Sequence, residues 1–247
     1  MSRKGVKTTK KLGVIGGLGP IATAYFYELI IKMTNAKFDQ EHLEMLIYSQ
    51  PSIPDRTEYI LGRSKENPML PMLLVGNSLV AQGVDYIAIP CITAHYFHNK
   101  LSEGINVPII HIIKETALHL KEHGIRSVGI MATDGTIYSK LFQEELQLYG
   151  IKALTPSREG QDYVTDLIYH NVKANLPVEM NKFQAVSKEL RDLGAEIIIL
   201  GCTELSLIKR DFDIGAGYID AMEVLAMRSI VLCEAKLKEE YRCLITL

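Results

Sequence analysis

The amino-acid sequence contains two similar halves, and this internal repeat constrains the fold more than any other feature. Residues 83–91 read Gly-Val-Asp-Tyr-Ile-Ala-Ile-Pro-Cys, and residues 194–202 read Gly-Ala-Glu-Ile-Ile-Ile-Leu-Gly-Cys. In each copy an acidic residue stands two positions after the glycine, an apolar run follows, and a cysteine ends the segment. The repeat predicts two similar structural units, each of which presents one thiol.

The similarity extends to the start of each half. Residues 13–20 read Gly-Val-Ile-Gly-Gly-Leu-Gly-Pro, and residues 129–136 read Gly-Ile-Met-Ala-Thr-Asp-Gly-Thr, with the first and seventh positions glycine in both. A short apolar run that ends in a glycine turn and leads into a helical pattern is typical of a strand followed by a helix. Each half is therefore predicted to begin with a strand, a turn and a helix.

Strand and helix patterns alternate along both halves. The predicted strands cover residues 11–15, 44–49, 86–89, 106–112, 127–131 and 196–200. The predicted helices cover residues 21–30, 68–82, 113–123, 139–149, 162–172, 180–193 and 220–241. This alternation predicts an α/β fold with parallel sheets flanked by helices.

We expect two similar domains related by an approximate two-fold axis. The last helix follows the final strand of the second repeat, as residues 113–123 follow that of the first, and we expect it to pack back onto the first half. The predicted domains are residues 1–114 with 217–247, carrying Cys91, and residues 115–216, carrying Cys202.

Composition excludes several classes of function. The 247 residues are 47% hydrophobic and 23% charged, as in an ordinary folded protein. A net charge of −2 gives no overall attraction to nucleic acid or to anionic membranes. The sequence shows no leader pattern and no apolar run of about 18 residues, so we expect a cytoplasmic protein with no membrane partner.

The four cysteines, at positions 91, 202, 233 and 243, lack the spacing of a zinc site and are expected to be reduced thiols. Cys91 and Cys202 each stand at the carboxyl end of a predicted parallel strand, where ligands collect in α/β folds. Backbone N–H groups at a following helix favour a thiolate. A single buried cysteine is usually a packing residue, but the repeated context favours a functional pair.

Two thiols that face each other across a cleft suit one reaction in particular. One removes a proton from one face of a carbon atom, and the other returns a proton to the opposite face. The first must start as a thiolate and the second as a thiol. Such a pair inverts a stereocentre without a cofactor.

Five short segments together resemble a known family. They are residues 16–20 (Gly-Gly-Leu-Gly-Pro), 54–57 (Pro-Asp-Arg-Thr), 90–95 (Pro-Cys-Ile-Thr-Ala-His), 132–136 (Ala-Thr-Asp-Gly-Thr) and 201–205 (Gly-Cys-Thr-Glu-Leu). Spread over most of the chain, they resemble the aspartate/glutamate racemases that work without pyridoxal phosphate. The resemblance implies an active site between two α/β domains, no cofactor, an acidic amino acid as the small-molecule partner, and a homodimer.

The resemblance also implies roles for individual residues. Cys91 and Cys202 would be the two catalytic acid/base residues, and Arg56 and Lys173 would hold a substrate carboxylate. Arg56 suits this role from first principles, because a guanidinium offers paired donors to a carboxylate. Threonine hydroxyls can bind the carboxylate beside the reacting carbon, and glycine lets the backbone approach a ligand. The candidate substrate-binding residues are Gly17, Arg56, Thr93, Thr133, Thr136, Lys173 and Thr203.

The sequence departs from the family at Ile92, where Asn usually follows the first cysteine. Isoleucine offers only apolar contact, so the identity of the substrate stays open. A maleate-type isomerase or a malonate-type decarboxylase acting on a dicarboxylic acid is one alternative. A two-lobed protein that binds a small acid without turnover is another.

Other residues carry weaker signals. Residues 16–20 lack the full dinucleotide fingerprint, so we expect no nucleotide site. His95 and His98 lack the further ligands that a metal site needs, and a structural or supporting role is expected. Cys233 and Cys243 are interpreted as packing residues. Glu204 either tunes Cys202 or caps a helix.

Overall fold

The computed structural model describes residues 10–246, which form seven strands and eleven α-helices. The strands are β1 (Leu12–Gly16), β2 (Met45–Ser49), β3 (Tyr86–Ala88), β4 (Ser127–Ala132), β5 (Lys152–Leu154), β6 (Ile197–Gly201) and β7 (Tyr218–Asp220). The helices are α1 (Pro20–Met33), α2 (Arg56–Ile60), α3 (Met69–Ala81), α4 (His98–Gly104), α5 (Ile112–Glu122), α6 (Asp134–Tyr138), α7 (Leu141–Leu148), α8 (Arg158–Thr165), α9 (Met180–Asp192), α10 (Thr203–Asp211) and α11 (Ala221–Leu232). Within this range no helix is both long and apolar enough to cross a membrane.

The strands form two parallel sheets. The first has the order β2-β1-β3, and the second has the order β5-β4-β6-β7. In each sheet the first strand of the half lies in the centre, between the second and third strands of that half. The predicted α/β fold with two helix-flanked parallel sheets is confirmed, and the sequence repeat corresponds to a repeated strand order.

The central strands are buried along their whole length. Every residue of β1 and of β6 is buried, and both strands are almost entirely apolar apart from glycine. Parallel strands that are covered on both faces require such continuous apolar runs. The carboxyl ends of these strands therefore emerge from the core into the region between the two halves.

The glycine turn after β1 is held by Thr23 of α1. The N–H of Gly17 donates to Thr23 Oγ1 over 2.9 Å, and the Thr23 hydroxyl donates to the carbonyl of Gly19 over 2.9 Å. Pro20 starts α1, where its missing N–H leaves no hydrogen bond unmade. One side chain of α1 thus ties both ends of the turn to the helix.

One hydrophobic cluster spans both halves. It contains Phe26 of α1, Ile113 of α5, Ile199 of β6 and Leu225 of α11, each fully buried. A second cluster underlies the first sheet and includes Cys91, and a third underlies the second sheet and includes Cys202. The two halves are therefore joined by a shared core.

The predicted strand at residues 106–112 is wrong. Only Ile109 pairs with the sheet, through a single parallel bridge to Ile87. Pro108 has no N–H for the ladder, and helix α5 begins at Ile112, so the extended segment is too short for a strand. Its isoleucines, Ile109, Ile110 and Ile112, are nevertheless buried, which explains the misleading pattern.

Several predicted helices have different ends in the structure. The last helix stops at Leu232, and Glu234 takes a left-handed conformation with φ of 62°. The predicted helix at 162–172 divides into the end of α8 and a π-helix, Asp166–Val172. The π-helix adds one residue to a turn, which a periodic sequence pattern does not reveal.

The C-terminal region contacts both halves. Helix α11 packs on α1 and α5, whereas β7 pairs with β6 of the second sheet. The predicted boundary between residues 216 and 217 stays a prediction, and β7 lies just beyond it on the second sheet. The chain therefore passes from one half to the other through the shared core.

The shared core predicts a large effect for Phe26→Ala. We expect the free energy of unfolding in urea to fall by about 3–5 kcal/mol, because the aromatic ring leaves a cavity between the halves. Ile21→Ala is the matched control on the same helix, since Ile21 is 54% exposed, and it should change stability by about 0.5 kcal/mol or less. Equal losses in the two variants would contradict a core that joins the halves.

Candidate functional site

A narrow cavity lies between the carboxyl ends of the strands of the two halves. Cys91 follows β3 and Cys202 follows β6, and both side chains line this cavity. The volume open to the centre of a water molecule is ≈ 10 Å³, which is room for about one water. The structure thus brings the two repeated cysteines to one enclosed site.

Cys202 is held as a thiol by its surroundings. It is 6% exposed and precedes α10. Its Sγ donates to Glu204 Oε2 over 2.9 Å, and the Thr203 hydroxyl donates to the same oxygen over 3.2 Å. Burial, followed by the negative charge of Glu204, raises the pKa of Cys202 well above its usual value, against a smaller opposing effect of Lys173. Cys202 is therefore protonated at neutral pH.

Cys91 lies beside a positive charge, whereas Cys202 lies beside a negative one. Arg56, the first residue of α2, places its Nη2 3.8 Å from Cys91 Sγ. The Arg56 side chain is 8% exposed, and its guanidinium also donates to the carbonyls of Leu18 and Pro54, each over 3.1 Å. Burial opposes the charge, but Cys91 and Asp55 raise the pKa of Arg56 overall. A fixed positive charge therefore lies beside Cys91.

Three threonine hydroxyls join the two halves at the base of the cavity. Hydrogen bonds connect Thr93 to Thr133 over 2.9 Å, Thr93 to Thr136 over 3.1 Å, and Thr133 to Thr136 over 3.0 Å. Thr93 and Thr133 line the cavity, whereas Thr136 lies behind them and is fully buried. Thr136 thus supports the other two hydroxyls.

Lys173 lies at the more exposed edge of the cavity. Its Nζ is 4.1 Å from the centre of the Tyr169 ring and 3.9 Å from Asp55 Oδ2. The side chains of Lys173 and Asp55 are 28% and 33% exposed. Tyr169 belongs to the π-helix, and burial followed by the charge of Asp55 raises its pKa. This contact links the second half to helix α2 of the first.

The structure brings most of the predicted residues together. The cavity is lined by Arg56, Cys91, Thr93, Thr133, Lys173, Cys202 and Thr203. Gly17 is not among the lining residues. With φ of 88°, it lies so close to Gln50 that an added Cβ would be 2.5 Å from the Gln50 backbone. Glycine is required there by the turn between β1 and α1.

The cavity also contains residues that the sequence analysis did not select. Asp55 and Thr57 flank Arg56 in the Pro-Asp-Arg-Thr segment, and Tyr169 precedes Lys173 by four positions. Both positions could have been found from their neighbours in sequence. Ile92 lines the cavity and is 2% exposed. Glu204 accepts a hydrogen bond from the Cys202 thiol, so the structure favours the interpretation that Glu204 tunes the protonation of Cys202.

The remaining histidines and cysteines named in the sequence analysis do not line the cavity. His95 and His98 pack with His111 behind Cys91, and within residues 10–246 no three His, Cys, Asp or Glu side chains are arranged to hold a metal ion. Cys233 is fully buried in the shared core, as predicted for a packing residue. Cys243 is exposed, so the prediction of packing is wrong there.

Comparison with known proteins identifies the family. Residues 15–228 match the family described as Asp/Glu/Hydantoin racemase. The broad specificity amino-acid racemase RacX of Bacillus subtilis is 27% identical over 228 residues, covering 89% of this chain and 96% of RacX.

Solved structures agree with this assignment. The aspartate racemase of Picrophilus torridus is 32% identical with a TM-score of 0.84, covering 95% of this chain and 98% of that one. An aspartate racemase homologue from Pyrococcus horikoshii is 25% identical with a TM-score of 0.73, covering 91% and 99% of the two chains. The chain therefore belongs to the Asp/Glu/Hydantoin racemase family and is an isomerase of the amino-acid racemase type.

Proposed function

We propose that the chain interconverts the enantiomers of an acidic amino acid through Cys91 and Cys202, without pyridoxal phosphate. The observation that carries the proposal is that the two thiols share one cavity and that one lies beside a positive charge and the other beside a negative charge. Arg56 lies beside Cys91, and Glu204 accepts a hydrogen bond from Cys202. The two similar thiols thereby lie beside charges of opposite sign, which supports unequal roles for them in a two-base reaction.

The proposed reaction conserves protons within the site. The Cys91 thiolate takes the proton from the α-carbon, and the electron pair of the broken C–H bond moves into the adjacent carboxylate. The Cys202 thiol gives its proton to the opposite face of the α-carbon, which leaves Cys202 as a thiolate. The reverse reaction starts from Cys91 as thiol and Cys202 as thiolate, so the same pair acts on both enantiomers.

The threonine hydroxyls support the charge that develops. As the proton leaves, negative charge accumulates on the substrate carboxylate beside the reacting carbon. Thr93 and Thr133 line the cavity with hydroxyls that are already held by Thr136. Donors that are fixed before reaction stabilise such charge more than donors that must reorient.

Two cations favour a substrate with a second carboxylate. Arg56 Nε is buried and without a hydrogen-bond partner, so it is a free donor near the cavity. Lys173 is only 3.9 Å from Asp55 and is partly exposed, so its ammonium can exchange that contact for a substrate carboxylate. The relatives named as aspartate racemases make aspartate the first substrate to test.

Access to the cavity requires movement. A space of ≈ 10 Å³ does not admit an amino acid. Asp55 belongs to the first half and Lys173 to the second, so separation of this pair opens the exposed edge. The homodimer, the cytoplasmic location and the domain boundaries remain predictions from the sequence.

Ile92 favours a second candidate substrate. Its side chain lines the cavity next to Cys91 and gives no hydrogen bond to an ammonium group. A dicarboxylic acid without an amino group can pair its two carboxylates with Arg56 and Lys173. The reaction would then be a maleate-type isomerisation or a malonate-type decarboxylation. Product analysis with such acids distinguishes this candidate from racemisation.

The central test follows a single enantiomer of aspartate or glutamate in deuterium oxide without added cofactor. Wild-type protein should lose the optical activity of the substrate and place deuterium on its α-carbon. Cys91→Ala and Cys202→Ala should each lower the rate of racemisation by about 10²–10⁴-fold, because each removes one acid/base group. Cys243→Ser is the matched control, since Cys243 is exposed and outside the cavity. Undiminished racemisation by either alanine variant would refute the pair.

Glu204→Gln should lower the pKa of Cys202, because the carboxylate charge is the second cause of its elevation after burial. In a Cys91→Ala background, the pH at which iodoacetamide alkylates Cys202 at half its maximal rate should move to lower pH. Glu196→Gln serves as control, since Glu196 is exposed and accepts from the N–H of Arg126. No shift in the Glu204→Gln profile would show that the carboxylate does not hold the thiol proton.

Lys173→Met should reduce discrimination in favour of acidic substrates. We expect the KM for aspartate to rise at least about tenfold, because a charge-assisted hydrogen bond contributes about 1.5–3 kcal/mol. Activity on alanine should change little. Lys188→Met is the control, because Lys188 forms an exposed pair with Asp192 on α9. An equal loss of activity on aspartate and on alanine would argue against a role for Lys173 in recognising the substrate side chain.

A further inference from the structure

The ring of His95 contacts the backbone of Cys91, and the function inferred for it rests on the proposed role of Cys91 as a base. We propose that His95 is a positioning residue whose neutral imidazole takes the place of a missing helix N–H on the Cys91 carbonyl.

The two cysteines lead into different kinds of helix. Cys202 precedes the α-helix α10, and its carbonyl accepts the N–H groups of Leu205 over 3.0 Å and Ser206 over 3.4 Å. Cys91 leads into a 3-10 helix, Thr93–Phe97. Here the Cys91 carbonyl accepts the N–H of Ala94 over 3.2 Å, but the N–H of His95 goes to the carbonyl of Ile92 over 2.9 Å. The donor from the fourth residue after Cys91 is therefore missing.

The side chain of the same fourth residue supplies a replacement. His95 Nδ1 lies 3.0 Å from the Cys91 carbonyl oxygen. Ser206, the matching residue of the second repeat, makes this contact with its backbone N–H. His95 thus gives the Cys91 carbonyl the two hydrogen bonds that the α-helix gives to Cys202.

The surrounding hydrogen bonds assign the tautomer. The N–H of Ile112 points at His95 Nε2 over 3.4 Å, so Nε2 accepts and Nδ1 carries the proton. The other tautomer would donate from Nε2 to the carbonyl of Ile110, which is 3.3 Å away. It would also set the lone pair of Nδ1 against the Cys91 carbonyl oxygen and leave the N–H of Ile112 without this acceptor. The Nδ1–H form satisfies two of the three contacts and the alternative only one.

The ring is held in place and kept neutral. His95 is 3% exposed, and its ring lies 5.8 Å from the ring of His98 and 5.5 Å from that of His111. Burial, with smaller effects of His111 and His98, lowers the pKa of His95 to about 3. At neutral pH the imidazole is therefore uncharged and has one N–H to donate to Cys91.

The consequence for Cys91 is positional. The carbonyl and Sγ of Cys91 belong to one residue, so holding the peptide plane holds the Cα–Cβ bond from which Sγ extends toward Arg56. A shift of about 1 Å in a reacting group can cost about 10²-fold in rate. His95 therefore contributes to the rate without contacting the cavity.

Three variants test the proposal. His95→Leu should lower kcat for racemisation by about 10–100-fold with little change in KM, because the base is misplaced while substrate binding is kept. His95→Asn should recover part of kcat, since the amide can donate from the position of Nδ1. His98→Leu is the matched control. Its ring belongs to the same cluster and its Nε2 is near the carbonyl of Ile109, not Cys91, so kcat should change by less than about threefold.

A second readout follows the thiols themselves. Iodoacetamide alkylation, resolved by mass spectrometry of the peptides, should show a changed pH profile for Cys91 in His95→Leu and an unchanged profile for Cys202 in the same molecules. Equal loss of kcat in His95→Leu and His98→Leu, or an unaltered Cys91 profile, would reduce His95 to a packing residue.

A third measurement needs no variant. The ¹⁵N spectrum of histidine in the wild-type protein should show His95 protonated at Nδ1 and unprotonated at Nε2 at neutral pH. Protonation at Nε2 would overturn the proposal even if the leucine variants fail to fold. The alkylation profile and the tautomer do not require turnover. A wild-type protein without racemase activity would therefore count against the proposed function, while these two measurements would still decide the role of His95.

Discussion

The opposite charges beside two buried thiols are the constraint on which the site depends. Arg56 lies next to Cys91, and Glu204 accepts from Cys202, around a cavity that has room for about one water. Without these neighbours the two repeats would present two thiols in equivalent surroundings. Burial of both cysteines strengthens both interactions. The local sequence around each cysteine therefore breaks the symmetry that the repeated fold provides.

Burial of Arg56 is possible only because the backbone already satisfies most of its guanidinium. A buried cation without hydrogen bonds would cost several kcal/mol, on the order of the free energy of folding of a small domain. The carbonyls of Leu18, Ile53 and Pro54 accept from it, and Asp55 adds a nearby negative charge. The turn after β1 and the loop before α2 thus serve one purpose. They hold a charge in place before any substrate arrives.

The sequence predicted the two thiols because their position follows from strand order alone. β3 and β6 hold equivalent places in the two parallel sheets, and each is followed by its cysteine at the carboxyl end. The repeated segment from Gly to Cys marks these two strand ends in the sequence. Tyr169 and Thr57 lie close in sequence to Lys173 and Arg56, which the sequence did select, but their meeting at one cavity depends on contact between the two halves. Gly17 was assigned to the substrate, but its positive φ and its contact with Gln50 account for the glycine. The segment 106–112 was misread because an apolar run reports burial, and Pro108 prevents the pairing that would make it a strand.

The two repeats also differ in how they hold their cysteines, and this difference has a consequence for the proposed reaction. Cys202 begins an α-helix, and its raised pKa makes the thiol its resting form. Under the proposed mechanism the resting enzyme therefore has its base at Cys91, and it is ready for the enantiomer whose α-hydrogen faces that sulfur. Each turnover leaves the protons reversed, with the thiolate beside Glu204, where the carboxylate destabilises it. Return to the resting state requires the proton on Cys91 to reach Cys202, either through the opposite enantiomer or through solvent when the cleft opens. Under the proposed mechanism, the unequal environments therefore make the return of this proton a separate step of the catalytic cycle.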